Sequence, residues 1–463
     1  MKILVVTMQA GDAPRTGVQV RSWYAMRLLQ QAGQLDAVSL TPPTHGTDRN
    51  ADLVWQREFS IGVCENAKNP AEPSSRRPLL RALRLVLTPW HRQWSAWLSF
   101  LMQYGHSAPR GSRSLRLLIR LLQLQHFVAG TLCSAPPVAT GSFLRLWQHL
   151  RSLVLPTISQ QHYDLFWVEN TVCWPVAADL LKRLRLRPRL IVLNGHNIEY
   201  RLLQQQSAAV SPGYYRQFLM NESRLMRGLE QSAFRQADLV LQCSDEDVLE
   251  VRGLAPRTQA AVFPNGVDTA RFPVQPEARQ DTVPTVLFPG SFDYLPNREG
   301  AGWLLSNIWP LVLQRIPSAR LIIAGRAADT VGFADSRLAS SVELAANVAD
   351  MSAVFARCWV TAVPLLSGGG TRLKILEALS SGRAVVSTAL GAEGVPYVDG
   401  AHLLLANNPE AFADGLCRLL TVPEDRRQLA SCGADFVRTR YDWNELSARL
   451  LPVLHEALQR RTD

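Results

Sequence analysis

Short apolar runs alternate along this chain with longer segments whose apolar positions recur at helical spacing. In the first half, residues 3–6, 37–40, 165–168, 190–193, 239–241 and 261–263 read as short buried strands. Residues 20–31, 176–186 and 215–235 lie between them and read as helices. The alternation then restarts. Residues 285–288, 321–324 (ending at Gly325), 359–363 (leading to Pro364) and 384–387 predict strands, and residues 301–315 and 372–380 predict helices. After about residue 408 the pattern is helical to the end.

Strands alternating with helices predict the α/β class, with parallel sheets covered on both faces. Two successive runs predict two Rossmann-like domains facing each other. The expected division is 1–272 for the first, a linker at 273–284 containing Pro273, Pro276 and Pro284, and 285–440 for the second. Residues 441–463 are expected to form a helix that crosses back to the first domain.

The first domain carries an insertion at about 73–163 that is longer than a fold connection needs. Between Glu72 and Asp164 there is no acidic residue, while Arg76, Arg77, Arg81, Arg84, Arg92, Arg110, Arg113, Arg116 and Arg120 alternate with Leu and Trp. That is the composition of an interfacial amphipathic segment and predicts docking on an anionic membrane surface. A helical cap burying the Leu and Trp is the competing reading.

The formal net charge of +10 admits nucleic acid, an anionic membrane or a phosphorylated substrate. The basic residues sit among Leu and Trp rather than in a nucleic-acid module, so nucleic acid is not an expected partner. The seven cysteines include no CxxC pair, which predicts neither a zinc site nor a complete disulfide framework and fits a reducing compartment. The apolar run at 3–6 is too short for a signal peptide, and no run is long enough for a spanning helix. The expected location is cytoplasmic, peripheral at the inner face of the membrane.

The densest chemistry lies at Ser367-Gly368-Gly369-Gly370-Thr371-Arg372-Leu373-Lys374-Ile375-Leu376-Glu377-Ala378. A glycine-rich turn follows a strand and opens a helix, so unpaired backbone N–H groups and the helix dipole form an anion site. Arg372 and Lys374 add fixed positive charge, and Glu377 shares the helical face of Lys374. A carboxylate beside a phosphate cradle is placed to accept bonds from ribose hydroxyls.

This segment resembles the retaining GT-B glycosyltransferases of family 4, the group 1 glycosyltransferases, in the subgroup reading GGGTRLKILEA. Gly382, Val385-Val386-Ser387-Thr388 and Gly391-Ala392-Glu393-Gly394 extend the resemblance, as do Pro264-Asn265-Gly266-Val267-Asp268 with Phe272 and Leu321-Ile322-Ile323-Ala324-Gly325. Gly290-Ser291-Phe292 with Pro296-Asn297 resembles the phosphate-side loop opening the second domain.

The resemblance implies two Rossmann-like domains facing each other across a cleft, with a nucleotide-diphosphate sugar as donor. It implies a glycan or lipid-linked acceptor, no metal or other cofactor, and transfer with retained anomeric configuration. Glu377 would bind the donor ribose, while Arg372, Lys374 and the helix start would stabilise the leaving diphosphate. Asn194-Gly195-His196-Asn197-Ile198-Glu199 resembles the family's HN-x-E element, which brings His196 near the transferred sugar and Asn197 beside it. Gly17 resembles the first glycine loop, with a plain turn as the competing reading, and Arg298 is a candidate partner of the diphosphate, or a surface arginine at a helix start.

One departure stands out. Many members carry a second glutamate eight positions before the one matched by Glu377, and here that position is Gly369. A sugar-nucleotide-binding protein without turnover and a nucleotide-sugar epimerase on the same fold remain the alternatives.

Overall fold

The computed structural model describes residues 1–8, 17–40, 57–59, 155–156, 158–159, 161–184, 186–210, 212–275, 283–332, 336–368 and 372–460. Nearly all of the basic and aromatic stretch at 73–163 therefore lies outside the described residues.

Contacts divide the chain into two units, Met1–Val262 with Leu451–Asp463, and Phe263–Leu450. The division falls ahead of the 273–284 stretch because the preceding residues pack within the second unit. Val267 N–H donates to the Tyr441 carbonyl (2.8 Å), Thr269 Oγ1 donates to Asp442 Oδ2 (2.6 Å), and Phe272 meets Phe355 edge-on at 6.0 Å.

The first unit holds β1 (Lys2–Thr7), α1 (Gly17–Ala32), β2 (Gln34–Ser39), β3 (Arg57–Phe59), β4 (Leu165–Glu169), α2 (Trp174–Leu184), β5 (Leu190–Asn194), α3 (Glu199–Ala209), α4 (Tyr214–Gln236), β6 (Leu239–Gln242), α5 (Asp245–Leu254) and β7 (Gln259–Val262). Its seven strands are ordered β3-β2-β1-β4-β5-β6-β7, all parallel, with Val5 opposite Ala37 on one side and Trp167 on the other. Every residue of β4 and β6 is buried, as strands covered on both faces require. Helix α2 buries Trp174, Val176, Ala177 and Leu180 and carries Lys182 and Arg183 in its last turn, where cations complement the helix dipole. Helix α5 starts on Ser244, whose hydroxyl accepts the Asp247 N–H at 3.2 Å, with three acidic residues in the first turn.

The second unit holds β8 (Thr285–Pro289), α6 (Leu295–Trp303), a π-helical turn at Leu304–Ile308, α7 (Trp309–Arg315), β9 (Arg320–Gly325), β10 (Val342–Ala346), α8 (Met351–Arg357), β11 (Val360–Val363), α9 (Leu373–Ser380), β12 (Ala384–Ser387), β13 (Leu404–Leu405), α10 (Pro409–Thr421), α11 (Pro423–Arg440) and the start of α12 (Trp443–Gln459). Its six strands are ordered β10-β9-β8-β11-β12-β13, again all parallel. Numbered within the unit this is 3-2-1-4-5-6, the doubly wound Rossmann order.

The interior strands fall where the hydrophobic pattern puts them. The differences are at the edges and around proline. Strands β3 and β10 give no continuous apolar run, β13 lies in a short apolar run at 403–406 not expected as a strand, and β7 ends at Val262 instead of continuing to Phe263. All four are sheet edges. The helix expected from 301 begins at Leu295, because Pro296 occupies the first turn, where its missing N–H costs nothing.

Gly325 ends β9 at a φ of +130°, a conformation L residues rarely adopt, and a Cβ there would lie 2.1 Å from the Gly290 carbonyl oxygen. Gly325→Ala is therefore expected to destabilise the protein by about 3 kcal/mol. Gly332→Ala, at an open position, should stay within about 0.5 kcal/mol of wild type in the same urea titration. Equal midpoints for all three proteins would show that the Gly325–Gly290 approach is not a constraint.

Candidate functional site

In the second sheet the strand order reverses between β8 and β11. Ligands of open α/β sheets bind outside the carboxyl ends of strands at such a reversal. The chain leaves β8 through Gly290 and leaves β11 through Pro364, reaching Gly368 and then α9. Gly368 has a φ of +99°, and a Cβ on it would press on the Tyr294 hydroxyl at 3.1 Å. Gly369, Gly370 and Thr371 lie outside the described residues.

Helix α9 buries Ile375, Leu376, Ala378 and Leu379, which pins its axis to the sheet. Arg372 is its N-cap residue and is buried. Its guanidinium lies in the field of Tyr294 and Glu393. Lys374 Nζ donates to Asn297 Oδ1 at 2.7 Å and lies 4.8 Å from the centre of the Phe288 ring. Asn297 in turn donates through Nδ2 to the Ser291 carbonyl at 2.8 Å. Gly290 leaves room for this pair, since a Cβ would sit 3.1 Å from the Asn297 amide and 3.2 Å from Lys374 Nζ. Burial, with Arg372 nearby, brings the Lys374 ammonium down to about 7, and Glu377 opposes the shift. The Glu377 carboxyl is pushed up by burial, tempered by Arg271 and Lys374. Two cations and a carboxyl group thus share one helix start with glycine backbone. Arg298, by contrast, is exposed on α6, and its neighbour Asn297 takes the inward position.

The first unit gathers a second cluster at the carboxyl ends of β4 and β5. Glu169 ends β4 fully buried. Its Oε1 accepts His196 Nε2 at 2.7 Å and Asn194 Nδ2 at 2.9 Å, and its Oε2 accepts Trp167 Nε1 at 2.6 Å. Arg21 from α1 donates Nη2 to Asn194 Oδ1 at 2.7 Å, which fixes the orientation of that amide. Burial alone would raise the Glu169 carboxyl, but the His196, Trp167 and Asn194 donors hold it below its ordinary value. Burial lowers the His196 imidazole, with Glu169 opposing and Arg21 assisting. His196 Nδ1 is buried and has no hydrogen-bond partner among the described residues.

Gly17, the expected glycine-loop residue, opens α1. Asn197 and Asn170 hydrogen-bond Glu199, whose carboxyl burial pushes up to about 7. Asn170 sits at a φ of 72° and caps the turn after β4 by accepting Val172 N–H at 3.0 Å. Glu230, reaching from α4, accepts the N–H groups of Glu199 (2.8 Å) and Tyr200 (3.0 Å), and so caps α3 from outside the helix. Sequence reading passed over Glu169, Arg21, Asn297 as the partner of Lys374, and Glu230. A carboxylate ending the apolar run 165–168 was a visible signal, because strand ends at a reversal are where ligands bind. Nothing in the sequence linked Arg21 or Glu230 to their partners. Among the described residues, no group of three or more His, Cys, Asp or Glu is placed to hold a metal ion, and no helix is long and apolar enough to cross a membrane.

Residues 283–422 match the family model described as "Glycosyl transferases group 1". Among solved structures, Anabaena HepE in complex with UDP and glucose superposes with a TM-score of 0.61 at 14% identity, over 98% of this chain and 100% of that one. The fold is GT-B. Among curated proteins, an uncharacterised 44.6 kDa protein in the cps region of Klebsiella pneumoniae is 27% identical over 34% of this chain and 42% of its own length. The phosphatidyl-myo-inositol mannosyltransferase of Mycolicibacterium smegmatis is 29% identical over 42% of this chain and 52% of its own. The chain thus spans about half, or less, of the length of these curated relatives.

The Glu230 carboxyl is pushed up by burial to about 8. With Glu230 raised in the folded state above the ordinary 4.5, the folded protein binds more protons than the unfolded chain between those values. Its contribution is therefore full below about pH 4.5 and is lost as pH rises toward 8, by at most about 1.4 kcal/mol per pH unit. Glu230→Gln removes this slope and leaves one backbone N–H without an acceptor. Urea unfolding should find it less stable than wild type at pH 5, with the gap narrowing by pH 8. A constant gap would show that Glu230 does not titrate in this window.

Proposed function

We propose that this chain is a retaining glycosyltransferase. It takes a sugar from a nucleotide-diphosphate donor held by the second unit and passes it to a glycan or lipid-linked acceptor in cell-envelope or exopolysaccharide synthesis. The observation that carries this reading is the Lys374–Asn297 pair over Gly290, at the strand reversal of a unit that matches a glycosyltransferase model. The chemistry fits a diphosphate. A helix start beside glycine backbone offers N–H donors, and Arg372 and Lys374 stabilise negative charge as the leaving diphosphate departs, without a metal ion. Glu377, four residues inside the helix that Arg372 caps, is assigned to the ribose hydroxyls. The UDP and glucose bound to the Anabaena protein and the name of the Mycolicibacterium mannosyltransferase support the same donor and acceptor classes.

Lys374 gives a test that does not depend on knowing the acceptor. Its amine titrates near 7 in the unliganded protein, so at pH 8 most of it is neutral, and an arriving diphosphate draws a proton onto it. Calorimetry with UDP and other nucleoside diphosphates should show weaker binding as pH rises from 7 to 9. At pH 8 the binding enthalpy should depend on the buffer, reporting proton uptake. Lys374→Met should lose both effects and about 1.5–3 kcal/mol of affinity. Unchanged affinity in the variant would remove Lys374 from the site. Wild-type binding with neither transfer nor donor hydrolysis would leave a sugar-nucleotide-binding protein instead.

The arginine- and tryptophan-rich stretch at 73–163 supports docking on an anionic membrane, as a lipid-linked acceptor would need, with the protein peripheral at the inner, cytoplasmic face. The protein should float with anionic liposomes at low salt, and high salt or neutral lipid should release it. Failure to float with anionic liposomes at low salt would favour an acceptor free in solution.

A further inference from the structure

We propose that Glu169 is a positioning residue: it holds the Nε2–H of His196 and so fixes Nδ1 as an acceptor for a hydroxyl of the bound sugar. The sugar in this statement rests on the transferase reading, while the tautomer does not.

Glu169 is surrounded by donors. Trp167 Nε1, Asn194 Nδ2 and His196 Nε2 all point at its two oxygens, at 2.6–3.1 Å. Trp167 Nε1 and Asn194 Nδ2 can only donate to this carboxyl, while His196 Nε2 donates or accepts according to the ring tautomer. The Asn194 amide has no freedom to reverse, because Arg21 occupies its Oδ1. Two fixed donors stabilise Glu169 as a carboxylate and imidazole is the stronger base, so the proton between His196 and Glu169 resides on Nε2.

Burial decides the state of the other ring nitrogen. Glu169 and Arg21, joined through Asn194, act on the imidazole in opposite senses, and burial disfavours its charged form. Protonating Nδ1 would add a charge in a buried place. Cys243, from the end of β6, presents no base to Nδ1, because its thiol donates to the His196 carbonyl at 3.1 Å. Glu199, three residues on, is engaged by Asn197 and Asn170. A buried Nδ1 lone pair with no partner among the described residues is destabilising unless a donor meets it. A hydroxyl supplies that donor.

The first measurement is nitrogen NMR of the unliganded full-length protein labelled in histidine, with the His196 signals assigned by their loss in His196→Asn. The expected result is a neutral ring protonated on Nε2 near neutral pH. A ring protonated on Nδ1, or a charged ring, would overturn the proposal, and neither result depends on activity.

The second measurement compares Glu169→Gln with Glu169→Asp. Glutamine can turn its NH2 toward His196 and force the other tautomer. Its kcat is expected to fall roughly 10- to 150-fold while KM for the donor and nucleotide affinity stay within about twofold, and aspartate is expected to recover part of the loss. A Gln variant with wild-type kcat and an unchanged tautomer would overturn the proposal. If wild-type protein transfers no sugar, the transferase reading fails, and the ring tautomer still judges the role of Glu169.

Discussion

A parallel strand covered on both faces has no place for a polar side chain except at its ends. Most strands of both sheets follow that constraint, and the placement of the polar clusters depends on it; Asp36 within β2, which accepts the Tyr163 hydroxyl, and Thr361 within β11 depart from it. Strands β4, β6, β8, β11 and β12 are buried throughout. Each unit therefore collects its polar chemistry where strands stop, and the reversal of strand order opens the space there that a ligand can enter.

The two collections solve opposite electrostatic problems. In the first unit a buried carboxylate is satisfied by Trp167, Asn194 and His196 and balanced by Arg21, so charge is compensated inside the protein. In the second unit Arg372 and Lys374 crowd one helix start, and burial with mutual repulsion drives the lysine toward its neutral form. The first arrangement satisfies its carboxylate with protein donors and leaves His196 Nδ1 without a hydrogen-bond partner among the described residues. The second holds positive potential that an anion would complete. Glycine makes both possible in the second unit, because the Gly290–Gly325 approach and the Lys374–Asn297 pair occupy space that a Cβ would fill.

The helix starts show a related economy of design. Helix α5 carries its own cap, Ser244, and α10 carries Asn408, which accepts the Ala411 N–H at 2.8 Å. Helix α3 has no capping side chain of its own and is capped by Glu230 from a different helix. That long-range cap sets the loop holding His196 and Asn197 against α4, so the geometry of the first cluster depends on how two helices pack.

The sequence by itself determined the α/β class, the interior strands and the two positions where chemistry concentrates. Those features are local: a buried strand needs an apolar run, and an anion site needs glycine before a helix. Arg372, Lys374 and Glu377 fall together at one helix start for that reason, and His196 follows a strand end. The edge strands β10 and β13 were not legible: β10 is only partly buried and interrupted by Glu343, and β13 is two residues long. Only the tertiary structure decided the partners: Glu169 with His196, Arg21 with Asn194, Asn297 rather than Arg298 beside Lys374, and Glu230 on α3. Each of these joins residues well separated along the chain, and the distance between them is set by how strands and helices stack, a quantity that no local pattern of residues encodes.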